Sequence, residues 1–159
     1  MLSDDSFKTI IKNTPLVSVD LCLVSQKKLL LCKRNNEPLK GIWFTPGGRI
    51  FKNETWQNSL LRIAKSELGL KDVSLDSFRL MGIWDHFYNN SAIDEDTSTH
   101  YVNLPHYALF DQCPVITLDS QHGEFEWFDL SVVANDSFFY SYMRGYAKWL
   151  ISKVDGSCE

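Results

Sequence analysis

The sequence lacks any hydrophobic run long enough to cross a membrane. Although 44% of its 159 residues are hydrophobic, no stretch approaches the roughly 20 consecutive apolar residues that a membrane-spanning helix requires. The N-terminal segment MLSDDSFKTIIKNTP also lacks the basic region and long apolar segment of a secretory signal. We therefore expect a cytoplasmic protein without a membrane partner.

The chain also lacks an excess of basic residues. Its 16 lysines and arginines are outnumbered by 20 aspartates and glutamates, which gives a formal net charge of −4. A general affinity for nucleic acid normally needs a concentrated basic surface. The charge therefore argues against a nucleic-acid partner and favours a small-molecule substrate.

Paired cysteines are absent as well. The four cysteines Cys22, Cys32, Cys113 and Cys158 form no CxxC pair, and the first two fall in strand-like runs. We expect reduced thiols in the core or on the surface rather than disulfides or a cysteine-bound metal.

No internal repeat, low-complexity tract or Pro/Gly-rich linker interrupts the sequence. A chain of 159 residues is long enough for one well-formed hydrophobic core and short for two. We expect a single domain over residues 1–159. Its longest polar segment, Asn89 to Thr99, is predicted to be a loop, and its length is typical of mobile or functional loops.

Alternation of apolar and polar residues predicts the first two strands. Over residues 17–23, valines and leucines alternate with small polar residues that include Asp20, which indicates a strand with one polar face. Residues 28–33 are predicted to form its hairpin partner. A short helix is expected before them over residues 4–12, and Pro15 ends it.

Later segments predict more strands and a closing helix. Further strands are expected at residues 79–85, 100–110 and 125–128, and a helix at residues 137–153. Strands interrupted by one internal helix and finished by another indicate an α+β or mixed-sheet α/β domain in which the helices pack on the sheet.

The most informative segment is GRIFKNETWQNSLLRIAKSELGL, from Gly48 to Leu70. Gly47 and its neighbour follow an aromatic, strand-like segment, and we expect a turn there in which the backbone adopts glycine-only conformations. A helix is predicted from about residue 54, with Asn53 as its N-cap and Gly69 as its terminator.

This predicted helix carries an acid on its apolar face. At about 100° per residue, Trp56, Leu60 and Ile63 lie within about 40° of Glu67, and these residues should face the core. A buried carboxylate needs a compensating partner, and the helix dipole disfavours an anion in the last turn. A metal ion or a buried arginine could supply the positive charge.

Three arginines accompany this helix in the sequence. Arg34 ends a strand before the glycine turn, Arg49 follows the glycines, and Arg62 lies on the helix. Guanidinium groups bind phosphate oxygens well, so the set suits a substrate that carries several phosphate oxygens. Surface salt bridges are the alternative interpretation.

The order of residues in this segment resembles the Nudix box, GX5EX7REUXEEXGU, in which U is aliphatic. The positions in register are Gly48, Glu54, Arg62, Glu67, Gly69 and Leu70. Ile63 and Ser66 stand where the box has glutamates that help to hold metal ions. Glu67 is therefore left as the one box carboxylate expected to bind metal.

An incomplete box of this kind is similar to that of the GDP-mannose mannosyl hydrolases, a Nudix branch that the chain resembles over nearly its whole length. The matching segments outside the box are Thr14 to Ser18, Lys33-Arg34, GIWFTPGGR, GIWDHFY, THYV and Gln121-His122. The resemblance implies a Nudix α/β/α sandwich, with a mixed sheet between helices. It also implies hydrolysis of GDP-mannose, with GDP-glucose as a further candidate, to GDP and free sugar by water attack at the sugar C1 with inversion.

The same resemblance implies a site for Mg²⁺, with Mn²⁺ as an alternative. Its protein ligands would be the Gly47 carbonyl, the Glu67 carboxylate and the Gln121 side-chain oxygen. Water and the substrate diphosphate would complete the coordination, because hard cations prefer oxygen ligands.

Catalytic roles follow from the resemblance too. His122, in an expected polar loop, is the candidate general base, because neutral imidazole can accept a proton from water near neutral pH. Arg34 and Arg49 would bind the diphosphate and stabilise the departing GDP. Asp20 would contact the sugar or a catalytic residue, and a solvated strand acid is the alternative.

Four further residues receive lesser roles. His86 and Tyr101 are candidate hydrogen-bond donors to the diphosphate or the sugar, with packing as the alternative. Arg62 is expected to support the helix or the loops rather than touch substrate, and Glu54 is expected to be structural. The resemblance also implies a homodimer.

Two other functions stay open at this point. A nucleoside-diphosphate-sugar pyrophosphatase would release GMP and sugar 1-phosphate, but the missing acids at Ile63 and Ser66 count against it. A Nudix module that binds a nucleotide sugar without turnover is the other alternative. The presence of Glu67, Gln121 and His122 counts against that module.

Overall fold

The predicted N-terminal hairpin is present in the computed structural model, which describes residues 2–120 and 122–156. Strand β1 (Leu16–Ser25) pairs antiparallel with β2 (Lys28–Arg34). The two residues between the strands have positive φ angles of 51° and 62°. A two-residue turn of this kind matches the twist of the strands it joins.

The strands on either side of this hairpin make a mixed sheet. Strand β3 (Trp43–Phe44) pairs antiparallel with β2, and β4 (Gly47–Arg49) pairs antiparallel with β1. Strand β7 (Thr99–Phe110) runs parallel to β1 along its whole length, and β8 (His122–Asp129) pairs antiparallel with β2. The predicted mixed sheet is therefore confirmed.

The single strand predicted at residues 79–85 is wrong, because the segment forms two separate strands. Two shorter strands, β5 (Arg79–Leu80) and β6 (Trp84–Tyr88), both pair antiparallel with β7. Gly82 lies between them with φ of 96°, a conformation that interrupts an extended strand and favours glycine.

Helices cover both faces of the sheet. Helix α2 (Trp56–Leu68) packs on one face, and α3 (Leu130–Asn135) and α4 (Ser141–Gly156) pack on the other. The predicted sandwich is confirmed, although the closing helix begins at residue 141 and the short helix before it was not predicted. Helix α1 (Asp4–Asn13) matches its prediction. No helix in the described part of the chain is long and apolar enough to cross a membrane.

The polar face predicted for β1 is buried, so the alternative of a solvated Asp20 is wrong. Nine of the strand's ten residues are buried, including Ser18 and Asp20. The reason is that helices cover both faces of the sheet, as they do in other α/β sandwiches. The polar residues of β1 therefore lie inside the protein, where each needs a hydrogen-bond partner.

The start of α2 differs from the prediction, while its end agrees. Thr55, not Asn53, is the N-cap, and its hydroxyl accepts the N–H of Asn58. Trp56 does not face the core, because its side chain at the first turn is 40% exposed. Gly69 ends the helix in the left-handed conformation, with φ of 69°.

Candidate active site

A cavity of about 380 Å³ lies where β1, β4, β6 and β7 meet α1 and α2. Its volume is within the range of small-molecule sites. Seven of the eight described candidate site residues line it: Asp20, Arg34, Gly47, Arg49, Glu67, His86 and Tyr101. The fold therefore brings together residues that are up to about 80 positions apart in the sequence, which is how catalytic sites are normally assembled.

Glu67 lies on the buried face of α2, as the helical spacing predicted, with only 7% of its surface exposed. The backbone N–H of Gly47 donates a hydrogen bond to its Oε2 over 3.1 Å. Burial, and after it the negative charge of Asp119, raise the pKa of Glu67 to about 8. The carboxylate therefore sits where a bound cation would stabilise its charged form.

The predicted glycine turn at Gly47 is wrong. This residue belongs to β4, opposite Asp20, and its φ is not positive. A Cβ atom at this position would overlap Oδ1 of Asp20 and lie 2.7 Å from the carbonyl oxygen of Val19. Glycine is therefore needed for the close approach of two strands and not for an unusual backbone conformation.

The residues present fit a hard divalent cation that takes most of its ligands from outside the protein. Ile63 is fully buried in the core and Ser66 is exposed, so neither adds a carboxylate to the box. The residues that the structure describes contain no cluster of three or more His, Cys, Asp or Glu side chains able to hold a metal. Mg²⁺ commonly binds one or two carboxylates and completes its shell with water and substrate phosphates. The third expected ligand, Gln121, lies outside the described residues.

Asp20 is a buried cavity acid rather than a solvated one. Its Oδ2 accepts hydrogen bonds from the Tyr146 hydroxyl at 2.8 Å and from Nδ2 of Asn103 at 2.5 Å. Burial raises the pKa of Asp20 to about 6, against the effect of these hydrogen bonds and of Arg34. The side chain is thus held in one orientation, and its pKa is higher than that of a solvated aspartate.

The arginines provide the positive charge of the cavity. Arg34 donates from Nε to the carbonyl oxygen of Pro38 at 2.9 Å. The guanidinium carbon of Arg49 lies 4.6 Å from the ring centre of Phe7 and 4.9 Å from that of Phe51. Stacking of this kind holds a guanidinium flat while leaving its edge N–H groups available.

Arg62 supports the site instead of pointing freely into it. It makes a two-point contact with Glu54, from Nε to Oε2 at 2.8 Å and from Nη2 to Oε1 at 2.9 Å. The same Nη2 donates to the carbonyl oxygen of Arg49 at 3.0 Å. The pair lowers the pKa of Glu54. These contacts agree with the supporting role expected for Arg62 and the structural role expected for Glu54.

His86 is almost completely buried, and both its ring nitrogens meet protein groups. Nδ1 lies 3.2 Å from Nδ2 of Asn103, and Nε2 lies 3.4 Å from the Tyr146 hydroxyl. The ring stacks on Tyr142 at 4.0 Å between centroids. Burial lowers the pKa of His86 to about 4, so the ring is neutral at neutral pH. These contacts compete with the expected role of His86 as a direct donor to substrate.

His122 belongs to a strand and not to a loop. It is buried at the start of β8, opposite Arg34, so the expected loop position is wrong. Its Nδ1 is 2.8 Å from Oδ1 of Asp119, and its Nε2 is 4.0 Å from Oε2 of Glu67. Unlike the other described candidates, His122 is not among the residues that line the cavity.

Sequence reasoning missed three side chains that hold the candidate residues in place: Asn103, Asp119 and Tyr146. Asp119 orients His122, and the other two hold Asp20. The only sequence signal for Asp119 was weak: it lies three residues before His122 in a polar segment. Tyr146 lies on the apolar face of its helix, where its spacing is that of any core aromatic.

Comparisons with known proteins agree with this architecture. Residues 14–150 match the family model described as the NUDIX domain. The low-salt glycan biosynthesis protein Agl8 of Haloferax volcanii is 39% identical over 128 residues, which are 80% of each chain. The ADP-ribose pyrophosphatase of Methanocaldococcus jannaschii is 28% identical over 145 residues, covering 85% of this chain and 75% of the relative. The crystal structure of the MutT protein from Methanosarcina mazei Go1 superposes with a TM-score of 0.71 at 18% identity, covering 89% of this chain and 97% of the other.

Proposed function

Because the chain belongs to the NUDIX family, we propose that it is a Mg²⁺-dependent hydrolase of GDP-mannose, or of GDP-glucose, that releases GDP and free sugar. Hydrolysis of a nucleoside diphosphate derivative is the activity that the family and its relatives support. The finer choice of a nucleotide sugar, and of the bond that is cleaved, rests on the arrangement of the cavity.

One observation carries the choice of bond. Glu67 is the only carboxylate of the box at a metal-binding position, because Ile63 is in the core and Ser66 faces solvent. A site with a single box carboxylate is poorly equipped to activate water for attack at phosphorus. It remains suited to neutralising a diphosphate that departs as the leaving group. Attack of water at the sugar C1, with cleavage of the C–O bond, follows from that division of roles.

The leaving group is stabilised by the positive side of the cavity. Arg34 and Arg49 line it and can donate to the diphosphate oxygens as negative charge develops on GDP. Glu67 and the Gly47 carbonyl would hold the metal, with Gln121 as the third proposed ligand. Bound Mg²⁺ would supply Lewis-acid neutralisation of the diphosphate.

The sugar side of the cavity carries the opposite charge. Asp20 can accept a hydrogen bond from a sugar hydroxyl. It can also stabilise the positive charge that develops at C1 in an oxocarbenium-like transition state. Tyr101 lines the same cavity as a further hydrogen-bond donor. His122 is the proposed general base, and its contact with Asp119 favours the tautomer in which Nε2 accepts a proton.

The name of the Haloferax relative, a glycan biosynthesis protein, agrees with a sugar nucleotide as substrate. We also propose that the chain acts as a single domain on this small molecule, as a homodimer in the cytoplasm. Light scattering of the purified protein tests the dimer directly, since a monomeric mass would contradict it.

The second candidate function is cleavage between the two phosphorus atoms to give GMP and sugar 1-phosphate. The observation that favours it is the similarity to an ADP-ribose pyrophosphatase across 85% of the chain. The absence of carboxylates at Ile63 and Ser66 opposes it.

Hydrolysis in ¹⁸O-labelled water distinguishes these functions. The protein is incubated with GDP-mannose and Mg²⁺, and the label is located by mass spectrometry. Label in free mannose supports the proposal, whereas label in a phosphate group supports the pyrophosphatase. Binding of GDP-mannose by calorimetry without any product would identify a non-catalytic module.

A further inference from the structure

Four buried side chains at the floor of the cavity are joined to one another by hydrogen bonds, and we name this set the Asp20 network. Its members are Asp20, His86, Asn103 and Tyr146, and none is more than 5% exposed. The Tyr88 hydroxyl, 3.5 Å from Nδ1 of His86, lies at the edge of the network. The four members come from β1, β6, β7 and α4, so the network joins the sheet to the helix behind it.

The number of available hydrogens limits the directions that these hydrogen bonds can take. The Tyr146 hydroxyl has one hydrogen and donates it to Oδ2 of Asp20, with 2.8 Å between the two oxygen atoms. Asn103 has two amide hydrogens and three acceptors within reach of its Nδ2: Oδ2 of Asp20 at 2.5 Å, the Tyr146 oxygen at 2.9 Å and Nδ1 of His86 at 3.2 Å. Because Nδ2 only donates, Nδ1 of His86 faces a donor. Because the Tyr146 hydrogen is directed to Asp20, the Tyr146 oxygen can only accept a hydrogen from Nε2 of His86, which lies 3.4 Å away. Each donor has an acceptor when the neutral His86 carries its hydrogen on Nε2.

Both donors to Asp20 act on the same oxygen. Asn103 and Tyr146 bond Oδ2, while Oδ1 lies against the backbone of Gly47, where a Cβ atom would overlap it. The carboxylate therefore cannot rotate without breaking two buried hydrogen bonds, and leaving buried polar groups unpaired is costly. Oδ1 accepts from neither of these donors, and Asp20 lines the cavity.

Helix α4 also fixes the plane of His86. The ring of Tyr142 stacks on it with an interplanar angle of 5°. The Tyr142 hydroxyl is itself held by the backbone of Phe87, at 2.8 Å from the N–H and 3.2 Å from the carbonyl oxygen. Tyr142 and Tyr146 are four residues apart and so lie on one face of the helix.

We propose that Asn103 and Tyr146 are positioning residues for Asp20, and that His86 serves them as a neutral hydrogen-bond partner and not as a group that acts on substrate. This inference rests on the proposed function, because it assigns Asp20 to the sugar side of that reaction. The gain is preorganisation, since a carboxylate fixed before the substrate arrives need not be reoriented in the transition state.

The kinetic test uses Tyr146→Phe, which removes one hydroxyl and keeps the ring. We expect kcat for GDP-mannose to fall about tenfold to a hundredfold, with KM nearly unchanged. The matched control is Tyr107→Phe, because Tyr107 packs on Trp149 and does not line the cavity. An equal fall in kcat in both variants, or a rise in KM with kcat unchanged, would overturn the positioning role.

A double-mutant cycle separates positioning from loss of stability. If Tyr146 acts through Asp20, the double variant Asp20→Asn/Tyr146→Phe is no slower than Asp20→Asn alone. Effects that multiply would mean that the hydroxyl acts independently of Asp20, and would overturn the inference. Circular dichroism melts of every variant identify any general loss of fold.

A second readout does not depend on catalysis. Nitrogen-15 NMR of the histidine ring reports which nitrogen carries the hydrogen, and the proposed network requires Nε2–H for His86 in the wild-type protein. Tyr146→Phe removes the acceptor of that hydrogen, so the share of the Nδ1–H tautomer should rise, while Tyr107→Phe leaves it unchanged. An Nδ1–H tautomer in the wild type would overturn the network. If the NMR result holds but no free sugar forms, the proposed function fails while the network stands.

Discussion

The backbone N–H of Gly47 donates to Oε2 of Glu67, and this hydrogen bond joins the three-residue strand β4 to the last turn of α2. It holds a buried carboxylate against the cavity wall with a single neutral donor. Burial outweighs that donor, so the pKa of Glu67 rises to about 8. The chain therefore carries an acid whose charged form is unfavourable until a cation binds.

Glu67→Gln should stabilise the metal-free protein at neutral pH. The folded pKa of about 8 exceeds the ordinary value of 4.5, so Glu67 contributes stability fully below pH 4.5 and loses it as pH rises through 8. The glutamine amide of the variant does not ionise, so this loss of stability is absent. The melting temperature at neutral pH should therefore rise by at least about 2 °C. Added Mg²⁺ should raise the melting temperature of the wild type and leave the variant unchanged. A variant that still responds to Mg²⁺ would exclude Glu67 as a ligand.

Asp20→Asn should separate stability from activity. The pKa of Asp20 rises from 3.8 to about 6, so its stabilising contribution is complete below pH 3.8 and disappears as pH rises through 6. A shift of this size corresponds to about 3 kcal/mol. Urea unfolding at several pH values should show a smaller loss of stability between about pH 4 and pH 6 in the variant than in the wild type. Hydrolysis of GDP-mannose should fall in the same variant, and unchanged turnover would remove Asp20 from the reaction.

Gly47→Ala should destabilise the protein, and Gly48→Ala should do so much less. A methyl group on Gly47 overlaps Asp20 and approaches the Val19 carbonyl to 2.7 Å, whereas one on Gly48 meets Cδ1 of Ile63 at 3.4 Å. Forcing extra volume into a packed site costs about 1 to 3 kcal/mol. Denaturant midpoints of the two variants measure the difference. Equal midpoints would mean that β4 moves away from β1 without cost.

His122→Gln should lower kcat by about 10² to 10⁴ if His122 is the general base. Asp119→Asn should lower kcat as well, because Asp119 favours the tautomer that leaves Nε2 ready to accept a proton. His100→Gln is the control, since His100 pairs with Asp85 on the surface. His122 is not among the residues that line the cavity, so a large fall in kcat would show that it acts on the reaction nonetheless. Near-normal turnover of His122→Gln across the pH range would leave Asp20 as the acceptor to examine next.

Local features of the fold could be read from the sequence. The hairpin of β1 and β2, the apolar face of α2 and the left-handed terminator Gly69 each depend on residues that are close together along the chain. Their periodicity and turn chemistry were therefore visible. The position of Glu67 on the buried face follows from its spacing with Leu60 and Ile63, and the structure confirms it.

The predictions that are wrong concern positions where contacts between distant segments override a local sequence preference. Gly47 was expected in a turn, but the approach of Asp20 from another strand is what excludes a side chain there. Asn53 is a good capping residue, yet the helix begins after Thr55. A solvated position was one alternative for Asp20 on the polar face of β1, and the helices that pack on the sheet make that face part of the interior.

The sequence by itself determined the family, the register of the box and the identity of the charged residues, because these depend on the order of residues and on short-range spacing. Only the tertiary structure decided which of those charges share a cavity and what holds them there. Asp20, Asn103 and Tyr146 meet because β7 runs parallel to β1 in one register and α4 packs behind them. No local pattern carries that information, since the contact between distant residues is fixed by the packing of whole strands and helices.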